Sequence, residues 1–88
     1  MKIEEEKLNK AVITSKDIVS GKSFISHVYY DEDRDWQFFD GTTIKEDDAL
    51  VISVKQILEI DPSLKALPEM HINESMFRKN KEDIWQKF

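Results

Sequence analysis

The chain has 88 residues, of which 40% are hydrophobic and 35% charged, and its formal net charge is −5. This length predicts one domain, and the composition is too apolar for a disordered chain and too charged for a membrane protein. An acidic chain without a dense lysine and arginine cluster is also poorly suited to bind nucleic acid or an anionic membrane surface.

The expected location follows from two further features of the sequence. The first residues, Met1 to Lys7, lack the apolar stretch of a secretory signal, and the chain contains no cysteine. Small secreted domains often depend on disulfides, so we expect a soluble cytoplasmic protein. Its charge is compatible with a basic protein partner, because opposite charges speed association.

The first third of the chain begins with a mostly charged segment. Residues 1–10 are expected to form a charged N-terminal arm or frayed helix, and residues 11–88 a single α+β domain. Residues 11–13 are predicted to be a short buried strand. Thr14-Ser15 then suits the N-cap of a brief helix, which Gly21 would terminate in a left-handed conformation.

An aromatic β-hairpin is the clearest prediction. Residues 24–30 alternate so that Phe24, Val28 and Tyr30 share one face while Ile25, His27 and Tyr29 share the other. A polar loop at 31–35 then leads into a second aromatic strand at 36–39. The turn signal Asp40-Gly41 precedes a candidate third strand at 42–44.

The principal helix has two candidate starting points. Asp47 or Asp48 would begin a long helix, because apolar residues follow at helical spacing. Alternatively, Ser53 and Gln56 form a capping box, with residues 49–52 as a short strand. We favour the capping box. Asp61-Pro62 should end this helix and start a further turn.

The last part of the chain is predicted less specifically. Residues 70–72 and 75–78 resemble strand segments, and residues 84–88 fit either a helical face or an extended tail. Together the elements predict an α+β fold, with a mainly antiparallel sheet and one principal helix packed on it.

Two acidic clusters are the candidate partner-binding residues. The Asp-x-Asp-x-Asp run in the hairpin loop resembles the start of an EF-hand, but Trp36 and Thr42 stand where that motif needs glycine and glutamate. We therefore predict no metal site and interpret the loop as hydrated and available to a basic surface. The candidate contacts are Asp31, Glu32, Asp33, Asp35, Glu46, Asp47 and Asp48.

The sequence gives little support for catalysis. His27 and His71 are the two histidines, and neither belongs to a nucleophile motif or a cluster with zinc-ligand spacing. Two glycines in all are too few for a phosphate-binding loop. We expect no enzyme activity and no cofactor, with a small hydrolase as the weakest alternative.

One motif resembles a known family. An acidic loop followed by Trp36-Gln37-Phe38-Phe39-Asp40-Gly41 resembles the bacterial immunity protein 33 family, formerly a domain of unknown function. The resemblance covers roughly residues 11–80 and departs from the family pattern where Asp31 follows Tyr30 and Arg34-Asp35 precedes Trp36. Further matching stretches, in order, are Val19-Ser20 with Lys22, Val28-Tyr29-Tyr30, Ile57-Leu58 with Asp61-Pro62, and Phe77-Arg78.

The resemblance implies a small α+β domain that neutralises a toxin by stoichiometric binding in a bacterial polymorphic toxin system. We interpret Trp36, Phe38, Phe39 and Gly41 as structural, with two rings in the core and the glycine in a tight turn. The alternative is a housekeeping interaction module, in one version a homodimer, that binds through an exposed aromatic patch at Tyr29, Trp36 or Trp85. Sequence alone leaves the oligomeric state open.

Overall fold

The computed structural model describes residues 1–43 and 45–88. Within these residues it has six strands and two short α-helices, so the predicted α+β class is confirmed. Three 3₁₀ turns, at Ile3–Glu5, Glu46–Asp48 and Pro62–Ala66, complete the fold. In chain order the strands and helices are β1 (Ala11–Ser15), α1 (Lys16–Val19), β2 (His27–Tyr30), β3 (Trp36–Phe39), β4 (Ala49–Ser53), α2 (Val54–Ile60), β5 (Glu74–Phe77) and β6 (Gln86–Lys87).

The strands form one sheet in the order β4-β1-β3-β2-β5-β6. All neighbouring pairs are antiparallel except β1 and β3, which run parallel with Ile13 opposite Gln37. The hydroxyl of Thr14, which is fully buried, donates to the Phe38 carbonyl at 2.8 Å and satisfies a polar group at this junction.

Side chains alternate across the sheet, and one face carries the core. The helical segments pack on this face, and the largest rings there belong to Trp36 and Phe38, both 0% exposed. The remaining buried apolar residues are Ile3, Val12, Ile18, Ile25, Val28, Tyr30, Val54, Ile57, Leu64, Leu67, Met70 and Met76.

Both predicted helix caps are present. The Ser15 side chain accepts from the Ile18 amide at 3.3 Å, and Gly21 ends the helical turn with φ +83°. For α2 the capping box is complete, because Ser53 Oγ accepts from the Gln56 amide and Gln56 Oε1 accepts from the Ser53 amide. Ser53 therefore starts the helix, and the acidic residues before it form a 3₁₀ turn.

The start of the chain differs from the arm or frayed helix that its charge predicts. Ile3 is 1% exposed and belongs to the core cluster. The Met1 amino group and carbonyl both hydrogen-bond to Met70, at 2.9 Å each. One apolar side chain, that of Ile3, therefore anchors this charged and mostly exposed segment to the same core as the rest of the domain.

Three predicted strand segments are shorter or absent. The first hairpin strand begins at His27, because the Ile25 carbonyl accepts from the Arg78 side chain instead of a ladder partner. Residues 70–72 lie outside the strands, since Asn73 turns the chain with φ +68° and β5 begins at Glu74. Thr42 and Thr43 lie in a bend and irregular structure, while Ile44 lies outside the described residues.

An ion pair in the interior connects the end of α2 to the end of β5. Arg78 and Asp61 are each 3% exposed, and the guanidinium donates to Asp61 Oδ2 at 2.6 Å. Arg78 also donates to the Ile25 carbonyl and to Ser63 Oγ, at 3.0 and 2.8 Å. Its guanidinium lies 4.2 Å from the ring centre of Trp85.

Residues 84–88, whose conformation the sequence leaves open, are extended and add the short edge strand β6. None of the helices in the described part of the chain has the length and apolar character needed to cross a membrane.

Candidate protein-binding surface

The face of the sheet opposite the core carries no charged side chain among the strand residues that the structure describes. This composition is unusual in a chain with 18 acidic and 13 basic residues. A sheet face that contacts water ordinarily carries mainly polar residues, so a face without acidic or basic residues is a candidate contact surface. From the strand register, the residues of this open face are Ala11, Ile13, Ser15, His27, Tyr29, Gln37, Phe39, Ala49, Val51, Ser53, Ser75, Phe77 and Gln86.

Two rows of side chains cross the open face. One row runs from Val51 through Ile13, Gln37 and Tyr29 to Ser75, in direct cross-strand register. Val51, on the edge strand, is 69% exposed, whereas Tyr29 and Ile13 are half-buried. The apolar part of this row therefore remains in contact with water.

An aromatic cluster occupies the second row. His27 lies opposite Phe39 on β3 and Phe77 on β5. The ring of Phe88 packs edge-on over His27, Tyr29 and Phe77 with centroid distances of 5.3, 5.8 and 5.6 Å. Phe88 itself is 59% exposed, so this cluster also faces solvent.

A shallow pocket of about 380 Å³ lies between these rings. Its walls are His27, Tyr29, Gln37, Phe39, Gly41, Thr42 and Phe88. Gly41 has φ +86°, and a Cβ added there would lie 2.7 Å from His27 Cε1. The glycine is therefore required both for its turn and for the close approach of the imidazole.

The acidic hairpin loop borders the open face at one end. Asp31 is half-buried, and its Oδ1 accepts from the amides of Asp33 and Asp35 at 2.9 Å each. Its Oδ2 accepts from Gln37 Nε2 at 3.3 Å, which joins the loop to the open face. Glu32, Asp33 and Asp35 are exposed.

Ligand atoms of Asp31, Asp33 and Asp35 lie within 4.8 Å of one another. The Asp31 carboxylate already accepts three hydrogen bonds that build the hairpin turn. The turn explains the position of the Asp31 carboxylate, and exposed acidic groups such as Asp33 and Asp35 are common without a bound ion.

The second acidic cluster lies at the opposite end of the sheet. Glu46, Asp47 and Asp48 directly precede Ala49, which pairs with Ser15 at the end of β1. The hairpin loop instead adjoins the start of β3, which runs parallel to β1. Strands of this length separate the two clusters by roughly 15 Å, so they flank the open face rather than forming one acidic patch.

Asp40 adds a carboxylate at the same end as the second cluster. The hydroxyl and the amide of Thr42 both donate to Asp40 Oδ1, at 2.6 and 3.0 Å. The hydrogen bond from the Thr42 hydroxyl is the largest cause that lowers the pKa of Asp40 below its ordinary value. Asp40 is thus ionised wherever the chain is folded near neutral pH.

The residues interpreted as structural occupy two faces. Trp36 and Phe38 are buried, and Gly41 makes a left-handed turn, whereas Phe39 lies on the open face. Trp36 is therefore unavailable as part of an exposed aromatic patch; its indole N–H donates to Glu6 at 2.8 Å. Trp85 is half-buried over Arg78.

Neither histidine has a catalytic neighbourhood among the described residues. His27 Nδ1 is 2.7 Å from Ser26 Oγ, but Ser26 is 6% exposed and precedes it directly in the chain. His71 is exposed and pairs with Glu69 and Glu74, at 3.2 and 2.9 Å. The exposed aromatic patch expected from the sequence included Tyr29, but its grouping with His27 and Phe39 was not predicted, although their two-residue alternation with buried neighbours indicates it.

Comparisons of the chain with models of protein families, with curated proteins and with solved structures found no match.

Proposed function

We propose that this protein is a non-enzymatic binding domain whose open face contacts a basic protein. The observation that carries the proposal is the composition of that face, which is uncharged and partly aromatic in an otherwise highly charged chain. Interfaces place aromatic side chains at their centre and polar groups at the rim. The two acidic clusters occupy the rim positions at both ends of the sheet.

Charge complementarity favours a basic partner. The chain carries a net charge of −5, and the clusters at 31–35 and 46–48 expose Glu32, Asp33, Asp35, Glu46, Asp47 and Asp48. Such a rim steers a positively charged protein towards the open face and raises its association rate. An acidic rim also disfavours nucleic acid and anionic lipid surfaces.

The partner we propose is a toxin domain, and the protein is then an immunity protein that binds it stoichiometrically. The support is the resemblance of the motif at residues 36–41 to the immunity protein 33 family, together with the binding surface described above. Such a protein acts in the cytoplasm of the cell that makes the toxin, and needs neither catalytic residues nor a cofactor.

Co-expression with a toxin encoded beside the gene tests this role. We expect rescue of growth and a one-to-one complex of the purified proteins at micromolar concentrations. Absence of both rescue and binding would overturn the proposal.

Charge-reversed variants test which surface is used. Asp33→Lys with Asp35→Lys changes one end of the face, and Asp47→Lys with Asp48→Lys changes the other. Glu82→Lys with Asp83→Lys is the matched control, because these exposed residues border Pro68 and Ala66 on the helical side. Each of the first two pairs should lower the association rate at low salt, whereas an equal effect of the control pair would contradict the assignment.

Self-association is a second candidate function, favoured by the free edge of β4. The Val54 amide donates to the Lys10 carbonyl, so by alternation Val51 directs its N–H and C=O away from β1. On either side of it, the Ala49 and Ser53 amides are already bonded to Glu46 and Gln56. The free N–H and C=O of Val51 can therefore pair with the same groups of a second copy across a two-fold axis.

Light scattering on concentrated protein tests this pairing. A dimer that Val51→Pro converts to monomer would support it, because proline removes the N–H that pairs. A strict monomer at the highest concentration that stays in solution would rule it out.

A further inference from the structure

The pocket on the open face has a hydrogen-bonding character that selects its ligand. Thr42 Oγ1–H donates to Asp40 at 2.6 Å, and Gln37 Nε2 donates to Asp31 at 3.3 Å. A carboxylate only accepts hydrogen bonds, so the amide nitrogen of Gln37 must be the atom that faces Asp31. Two of the donors in the pocket wall are therefore already used.

The other groups in the wall include acceptors and aromatic rings, and the Tyr29 hydroxyl and the His27 imidazole can each donate or accept. Gln37 Oε1 takes no hydrogen bond from the residues that the structure describes, and Thr42 Oγ1 keeps a lone pair. Rings of Tyr29, Phe39 and Phe88 supply π-faces and edges. Lysine and arginine are absent from the described wall, and the carboxylates of Asp31 and Asp40 accept hydrogen bonds from Gln37 and Thr42, two of its polar side chains.

We propose that this pocket binds an arginine side chain presented by a protein partner. A guanidinium brings several N–H donors in one plane and a weakly hydrated cation that stacks on aromatic rings. It therefore matches acceptors, rings and nearby carboxylates at once. A lysine ammonium satisfies the charge but lacks the planar stacking surface, and an apolar side chain leaves the acceptors unpaired.

This inference deepens the proposed function and rests on it for the origin of the arginine. The site itself is tested without any partner. We would titrate the protein with N-acetyl-arginine methylamide and follow the Gly41 and Thr42 amides and the Gln37 side chain by NMR. N-acetyl-citrulline methylamide is the matched neutral ligand, because it has nearly the same shape without the charge.

We expect weak binding of the arginine compound, at millimolar concentrations, with shifts confined to the pocket. The citrulline compound should bind at least about three-fold more weakly, since it lacks the cation–π attraction. Equal affinity of the two compounds, or no shifts at Gly41, Thr42 and Gln37 with the arginine compound, would overturn the inference.

Two variants distinguish the contribution of the Phe39 ring to arginine binding from a general effect on packing. Phe39→Leu keeps an apolar side chain but removes a π-face, and should weaken arginine binding about three-fold while leaving citrulline binding unchanged. Phe24→Leu is the matched control, because Phe24 lines a different cavity beside Ile60. An equal effect of both variants would contradict the role of Phe39.

The outcome is distinguishable from that of the proposed function. If a toxin complex forms and Phe39→Leu does not weaken it, and the protein binds the arginine and citrulline compounds equally, the pocket assignment fails while the binding function stands. If the arginine compound binds selectively but no protein partner is neutralised, the pocket stands and the immunity role fails.

Discussion

Replacing Arg78 with methionine tests how much the buried ion pair contributes to the fold. Arg78 and Asp61 are each 3% exposed, and their 2.6 Å contact is accompanied by hydrogen bonds to Ile25 and Ser63. Removing the cation leaves the Asp61 carboxylate buried without its charge partner. Breaking a buried pair in this way costs about 3–5 kcal/mol.

That cost is large relative to the stability of a domain of this size. At about 0.05–0.15 kcal/mol per residue, the free energy of unfolding should lie near 4–13 kcal/mol. Arg78→Met is therefore expected to remove about a quarter of it or more. Urea denaturation followed by far-ultraviolet circular dichroism measures the loss directly.

Two further variants isolate the cause. Lys79→Met removes a positive charge from the adjacent exposed position and should change the free energy of unfolding by no more than about 0.5 kcal/mol. Adding Asp61→Asn to Arg78→Met should restore part of the stability, because the unpaired charge is gone. If Arg78→Met alone costs less than about 1 kcal/mol, the pair is not the structural element described here.

Three other predictions concern the glycine turn, the sheet edge and the helix cap. Gly41→Ala should be more destabilising than Gly21→Ala. Both glycines have positive φ, but only at Gly41 does the added Cβ meet the His27 ring. Urea denaturation measures the loss of stability in each variant, and equal losses would contradict the contact. The Lys87 hydrogen bond, with further bonds from His71, lowers the pKa of Glu74 to about 2, so its contribution to stability is present above its unfolded pKa and is lost as the pH falls towards 2. An NMR titration of the Glu74 carboxyl should show this midpoint, and Lys87→Ala should raise it; an unchanged midpoint would refute the assignment. Ser53→Ala should cost about 1 kcal/mol through the lost capping box, measurable as a lower urea midpoint, whereas the exposed control Ser20→Ala should cost less.

Local patterns in the sequence predict the elements whose causes are local. Ser53 with Gln56, Ser15 with Gly21, and the aromatic strand at residues 36–39 each specify a cap, a turn or an alternation within a few residues. The loop at 31–35 likewise fixes the hairpin, because its Asp31 organises the turn by side-chain hydrogen bonds.

The sheet order depends on contacts that no short window contains. β1 lies between β3 and β4, and its parallel pairing with β3 brings Ile13 beside Gln37, 24 residues later. Alternation within one strand identifies two faces but not the neighbouring strands, so the uncharged open face emerges only when the register is known. The same holds for Ile3, whose burial depends on a contact with the segment near Met70.

The sequence predicts the exposure of the acidic residues but not their arrangement around the sheet. The acidic residues of the hairpin loop and of the segment before β4 are largely exposed, as their polar contexts predict, but they lie at opposite ends of the sheet. Phe39, interpreted as structural, lies with Tyr29 on the surface between them. Trp36 is buried because it is adjacent to Gln37 in the strand and therefore points to the opposite face, which carries the core.

Methyl NMR of a complex with the proposed toxin partner tests the central claim most directly, which is that the open face is the contact surface. Ile13 and Val51 report on that face, whereas Leu8, which is 58% exposed beside Leu58, reports on the helical side. On formation of the complex, the methyl signals of Ile13 and Val51 should shift or broaden while those of Leu8 stay in place. Changes at Leu8 with unaltered Ile13 and Val51 signals would contradict the account.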